Sequence, residues 1–269
     1  MQEQSTLILH KQTLPFLNIS LYLNDIKPVQ SLTIENTSET DSASLEIKIT
    51  ADLPCIEPFN YSVQFVPAKK DVKIPLENLK VNRDFLNKLS ETEKANITIE
   101  VYEKEVAILN ETIAINIQPL EHFGGFQVLP ELIAAYVTPN HPYIYHIKRK
   151  AIEILEKQGL KTAFEGYQSN DTERVLQIMS AIYSAIQSEE IIYSSLPPGY
   201  EEMGQRLRLL NTIQQEKFGN CIDISLLFAA CLEAVDLNPI LIIVRGHAFV
   251  GCWLQDEKFS EIVNDDKTA

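Results

Sequence analysis

Two kinds of hydrophobic spacing divide the chain and predict an α+β protein of two parts. Up to about residue 118 the apolar residues come in short alternating runs, the period of half-buried strands. From Asn140 onward they recur at three and four residues, the period of amphipathic helices. Between them stands Glu121-His122-Phe123-Gly124-Gly125-Phe126, which holds the first glycines of the chain and marks a domain boundary. A β-sandwich over residues 1–120 followed by an α+β domain over residues 121–269 is therefore expected.

In the first part the strand runs are Leu7–Leu9, Leu17–Leu23, Ser31–Ile34, Leu45–Ile49, Ser62–Val66, Val72–Ile74, Ile97–Val101 and Ile113–Ile117. Alternation is clearest in Leu45-Glu46-Ile47-Lys48-Ile49 and Ile97-Thr98-Ile99-Glu100-Val101. With no glycine available, the turns must use Asn, Asp, Ser and Pro. One helical turn is expected within Asn82–Leu89. Several short strands at this spacing predict an immunoglobulin-like sandwich, and no catalytic constellation stands out in it.

In the second part Asn140 is the expected cap of a helix to about Gln158, with Pro142 in its first turn and Gly159 as its stop. Its apolar face carries Ile144, Ile147, Ala151, Ile154 and Leu155. Asn170 and Asp171 open a second helix, read from Val175, Ile178, Met179, Ile182 and Ile186. Ile191-Ile192-Tyr193 reads as a short extended piece ended by Pro197-Pro198-Gly199. A short helical segment then leads to Lys217-Phe218-Gly219. Asn220 caps an almost wholly apolar helix from Cys221 to about Val235, with Asp223 at its third position. Ile240-Leu241-Ile242-Ile243-Val244 has the character of a buried central strand. A turn at Arg245-Gly246 returns the chain into a strand over His247–Leu254, with His247, Phe249, Gly251 and Trp253 on one face and Ala248, Val250, Cys252 and Leu254 on the other.

The chain of 269 residues has 45% hydrophobic and 22% charged residues and a formal net charge of −14. That acidity disfavours direct binding to nucleic acid or to anionic membranes, which needs a clustered basic surface. The densest basic run, Lys148-Arg149-Lys150, sits in a helical pattern and reads as a solvated face. Cys55, Cys221, Cys231 and Cys252 form no C-x-x-C pair, so neither a disulfide scaffold nor a zinc site is indicated, and no cofactor is implied. A metal site of Cys221, Cys231, His247 and Cys252 is disfavoured further, because Cys252 points away from His247 on its strand. Reduced thiols and the absence of any signal-like or membrane-spanning run predict a cytoplasmic protein.

A cysteine in the first turn of a helix sits among unpaired N–H groups whose dipole favours thiolate. The competing reading is an inert cysteine on a core helix. Gly219-Asn220-Cys221 opening an apolar helix, followed by Gly246-His247-Ala248-Phe249 opening a strand, resembles the transglutaminase-like superfamily of the papain-like cysteine fold. Residues from about Gly204 to Leu254, including Gly204-Gln205-Arg206-Leu207-Arg208-Leu209 and Gly246–Leu254, are similar to the transglutaminase-like region near the N-terminus of large bacterial proteins whose downstream parts are helicase- and nuclease-like.

The resemblance implies Cys221 as nucleophile and His247 as its base, acting on a polypeptide or another amide as a protease, deamidase or acyl transferase. It offers Gln205 as an oxyanion donor, against the alternative of a polar surface residue. The third member should be an acid on the strand after His247. Asp256, Asp265 and Asp266 follow, and Asp265 lies nearest the family spacing, while Phe259–Val263 is a poor strand. The resemblance points to Asp265 first among these, or to an acid beyond Ala269, and the missing strand makes the chain read as a fragment of a longer protein. The alternative function is a catalytically silent peptide- or partner-binding module serving helicase- or nuclease-like regions of the same protein.

Overall fold

The computed structural model describes residues 6–195 and 204–265, and the chain separates into two compact units, Met1–His122 and Phe123–Ala269. The fold is mixed α+β, and its largest sheet is five-stranded and curled into a half-barrel.

The first unit runs β1 (Leu7–Thr13), β2 (Phe16–Leu17), α1 (Ile19–Leu23), β3 (Val29–Asn36), β4 (Leu45–Ala51), β5 (Phe59–Val63), β6 (Asp71–Lys73), α2 (Arg83–Leu86), β7 (Glu93–Glu103) and β8 (Val106–Ile117). One sheet has the order β1-β3-β6 and the other β2-β8-β7-β4-β5. All neighbours are antiparallel except β2 and β8. The period of two buries Leu45, Ile47 and Ile49 on β4 and Ala95, Ile97, Ile99 and Val101 on β7. β7 and β8 are joined by Lys104 and Glu105, both at positive φ (46° and 67°). That is the backbone of a tight hairpin turn which usually takes Asn-Gly, and the long ladder on either side holds it in a pair of ordinary residues.

Two expectations for this unit need correction. Leu17–Leu23 is not a strand: Asn18 caps α1, its Oδ1 accepting from the Leu21 N–H at 3.0 Å while its Nδ2 donates to the His122 carbonyl at 3.1 Å. A short polar side chain that bonds the backbone locally competes with strand pairing, and here it wins. Ser62–Val66 is displaced to Phe59–Val63, paired with β4.

The second unit follows β9 (His122–Phe123) at the junction. A 3-10 segment (Pro130–Tyr136) leads to α3 (Pro142–Lys157), and a second one (Gly166–Ser169) to α4 (Thr172–Gln187). Then come β10 (Ile192–Tyr193), β11 (Gln205–Arg206), α5 (Leu210–Glu216), β12 (Phe218–Gly219), α6 (Cys221–Glu233), β13 (Pro239–Val244) and β14 (His247–Cys252). Pro197, Pro198 and Gly199 lie outside the described residues. α3 opens one residue later than expected, because the His141 Nδ1 accepts from the Tyr143 N–H at 3.1 Å. Ile144, Ile147, Ala151 and Leu155 of α3, Val175, Ile178, Ala181 and Ile182 of α4, and Leu227, Ala230 and Cys231 of α6 make one core.

β13 departs from the reading of a buried central strand. It pairs only with β14 among the described residues, and Pro239 to Ile243 are all half-buried. Nor is Lys148-Arg149-Lys150 a purely solvated face. Lys148 donates to the Ala234 carbonyl at 2.7 Å, and Lys150 reaches Glu189. Among the described residues no helix is long and apolar enough to cross a membrane.

Glu189, just past the end of α4, is a buried carboxylate with four donors. Lys150, His146, Lys217 and the Tyr143 hydroxyl all bond it, tying α3, the end of α4 and the approach to α6 together. Burial pushes this carboxyl up, but the bonds from Lys150, Lys217, His146 and Tyr143 outweigh burial and hold it at about 2, below its ordinary 4.5. A depressed carboxylate contributes stability that is present above pH 4.5 and lost as pH falls toward 2. Glu189→Gln should therefore cost about 2 kcal/mol near neutral pH, discounted because its cationic partners are partly exposed. Urea titrations at several pH values should also show a shallower acid loss in the variant than in the parent.

Candidate functional site

The start of α6 is built from three local devices. Asn220 Oδ1 accepts from the Ile222 and Asp223 N–H groups at 3.0 and 3.1 Å, and Asp223 Oδ2 accepts from the Asn220 N–H at 3.0 Å. This is a complete capping box, with Asp in the place more often held by Glu. Asp223 is fully buried, which pushes its carboxyl up. The Arg208 N–H donates to its Oδ1 at 2.9 Å, and the Arg208 guanidinium reaches its Oδ2 at 3.2 Å, both pulling the other way. Arg208 also lies over the Phe218 ring, 4.4 Å from its centroid.

Glycine is required at Gly204 for a steric reason. Its φ is +75°, and a Cβ there would stand 2.1 Å from the Phe123 carbonyl oxygen. Two backbone segments cross at that point. The chain then enters β11 with Gln205 buried, so the surface-residue reading of Gln205 fails, and its Nε2 has no partner among the described residues.

Cys221 occupies the first helical position of α6 and is half-buried. The capping box satisfies the N–H groups of Asn220, Ile222 and Asp223, and the Cys221 N–H is not among them. Beside the thiol stands a residue that the sequence did not single out. β12 pairs in parallel with β10, through the Ile192 N–H to the Lys217 carbonyl at 2.8 Å and the Ser194 N–H to the Gly219 carbonyl at 2.9 Å. The Tyr193 phenol lies near Cys221; burial first, and then Cys221, push it up. No local pattern could reveal this neighbour, because the bridge joins segments that are distant in sequence.

His247 begins β14, opposite Val244. α6 rises about 1.5 Å per residue and β13 about 3.3 Å, so a helix of 13 residues and a returning strand of 6 cover similar lengths. Both β13 and β14 pack against α6. The side chains diverge, however. Ala248 is buried, and Val250 and Cys252 pack on the core shared with α6. His247 and Phe249 are exposed on the opposite face, with their rings 6.2 Å apart and nearly parallel. Among the described residues His247 and Cys221 share no hydrogen bond.

The remaining candidates do not gather around His247 either. Asp256 Oδ1 accepts from Asn238 Nδ2 at 3.2 Å, and Asp265 lies in the exposed segment after Trp253, lining a cavity with β13. Asp266 falls outside the described residues. No strand follows β14 among them. Of the other cysteines, Cys55 and Cys231 are buried, and burial raises both thiols, Cys55 to about 11. Cys252 contacts the Tyr167 hydroxyl at 3.7 Å on the core side of β14.

A concavity of about 1090 Å³ opens at the other end of α6. It is lined by Ala229 and Glu233 and not by Cys221 or His247. Twelve residues of helix separate Glu233 from Cys221, roughly 18 Å. No protein-family model and no curated protein matches the chain.

Asn220→Ala removes the two bonds that its side chain accepts and should cost about 1–2 kcal/mol of stability in a chemical melt. Asn220→Ser keeps an uncharged acceptor beside buried Asp223 and should recover most of it. Equal losses for the two would show that the cap does not hold the helix start.

Proposed function

We propose that residues 121–269 form a transglutaminase-like domain, preceded over residues 1–120 by an immunoglobulin-like β-sandwich. In this reading the domain serves a larger cytoplasmic nucleic-acid-processing protein as a catalytically silent, polypeptide-binding module. Support for the first part comes from Gly204–Leu209, Gly219–Ala234 and Gly246–Leu254, which carry the family resemblance. The two sheets with buried alternate residues support the second. The binding role rests on one observation above the others: the exposed His247 ring stacks on Phe249 on the outer face of β14, away from the helix that bears Cys221.

A second reading is thiol-based acyl chemistry. Cys221 would attack an amide carbonyl as thiolate, and the C–N bond would break as the amine left with a proton from His247. Water or an acceptor amine would then resolve the thioester. Two observations favour it: a half-buried thiol in the first turn of α6, and the unpartnered amide of buried Gln205, a donor of the kind an oxyanion needs. The base, however, must come within hydrogen-bond reach of the thiol.

Alkylation separates the two readings. Under the binding reading, Cys221 reacts with iodoacetamide near neutral pH no faster than an unperturbed thiol, and His247→Ala leaves the rate unchanged. Peptide mapping distinguishes Cys221 from Cys252, the other thiol that is not buried. A Cys221 rate enhanced on the order of tenfold or more, and lost in His247→Ala, overturns the binding reading and supports the enzyme.

A further inference from the structure

β13 has the composition of a strand covered on both sides, Pro-Ile-Leu-Ile-Ile-Val, yet it is half-exposed along nearly its whole length. Its ladder runs to β14 only, so among the described residues the N–H and C=O groups of its second edge meet no other strand. All five residues Pro239 to Ile243 line the 1090 Å³ cavity. Successive side chains on a strand point to opposite faces. A cavity touched by five in a row therefore runs along the strand's edge rather than across one face.

The charges around this edge have one sign. Glu131, Glu233, Glu261 and Asp265 line the cavity against the single cation Lys258. Among the described residues these carboxylates form no ion pair, in contrast to Glu189 and Asp223, each of which is matched by a cation. An apolar edge rimmed by unmatched carboxylates favours an extended occupant with apolar residues for the strand and cationic ones for the rim. A second copy of this chain, with its net charge of −14, would bring the wrong sign.

We propose that the free edge of β13 accepts an extended, basic and apolar polypeptide segment as an added strand. The proposal deepens the binding-module reading and takes its class of partner from it. Backbone pairing along β13 supplies affinity that does not depend on the occupant's side chains. Ile240 and Ile242 offer the apolar contacts, and the carboxylates set the preference for Lys or Arg.

The probe is a fluorescein-labelled eight-residue peptide of alternating valine and lysine, with the valine–glutamate peptide as control, followed by anisotropy on the full chain. The lysine peptide should bind and the glutamate peptide should not. Glu131→Lys combined with Glu233→Lys should weaken binding by about tenfold, and added salt should narrow that difference. If the double variant melts early, Glu233→Lys alone, at an exposed position, should give a smaller loss in the same direction. Bound peptide should also slow hydrogen exchange of the β13 amides.

No binding, equal binding of both peptides, or an affinity unchanged by charge reversal would overturn the proposal. So would concentration-dependent self-association that protects the same amides, since the occupant would then be a second copy. The alkylation of Cys221 is read independently. A fast, His247-dependent thiol with a bound lysine peptide removes the silent reading and leaves strand addition standing. A slow thiol with no bound peptide does the reverse.

Discussion

The second unit depends on one buried carboxylate. Asp223 has no exposure, and it is held in place by closing three bonds at once: to the Asn220 N–H, to the Arg208 N–H and to the Arg208 guanidinium. The first bond sets where α6 begins, and so where Cys221 stands. The other two bring the segment after Gly204 against that helix end and lay Arg208 on Phe218. A buried charge left without such partners would be strongly destabilising, so the surroundings of Asp223 have little freedom to rearrange. The half-buried Cys221 is thus a thiol on a rigid mount.

What could be read in advance follows the range of each interaction. Asn220 and Asp223 are three residues apart and announce a helix start by themselves, as Asp171 does for α4. The face of α3 is legible because burial follows the helical period at Ile144, Ile147, Ala151 and Leu155. Leu17–Leu23 misleads, because its apolar content suits a strand while a single residue, Asn18, turns the backbone into α1. The arrangement around Cys221 is of another kind. Tyr193 and Arg208 reach it or its cap through contacts between distant segments, for which no local pattern exists.

β13 shows a limit of composition as evidence. A run of β-branched residues reports that a strand suits apolar surroundings and leaves open what supplies them. Here β14 covers one edge, the helices cover part of one face, and the remainder faces a cavity. The orientation of His247 is a related matter. The two-residue alternation of β14 is plain in the sequence, but which of its faces meets α6 is settled by packing, with Val250 and Cys252 taken into the core. The same alternation that seats those residues turns the imidazole outward.

The hairpin between β7 and β8 makes its turn from Lys104 and Glu105 where glycine would be easier, and the first 123 residues contain no glycine at all. At ordinary usage such a length would hold about eight. Each absence removes backbone freedom from the unfolded chain, worth about 0.4–1 kcal/mol where the folded conformation suits a larger residue. Part of the first unit's stability thus originates in the poverty of its denatured ensemble, a contribution that no inventory of its native contacts would contain.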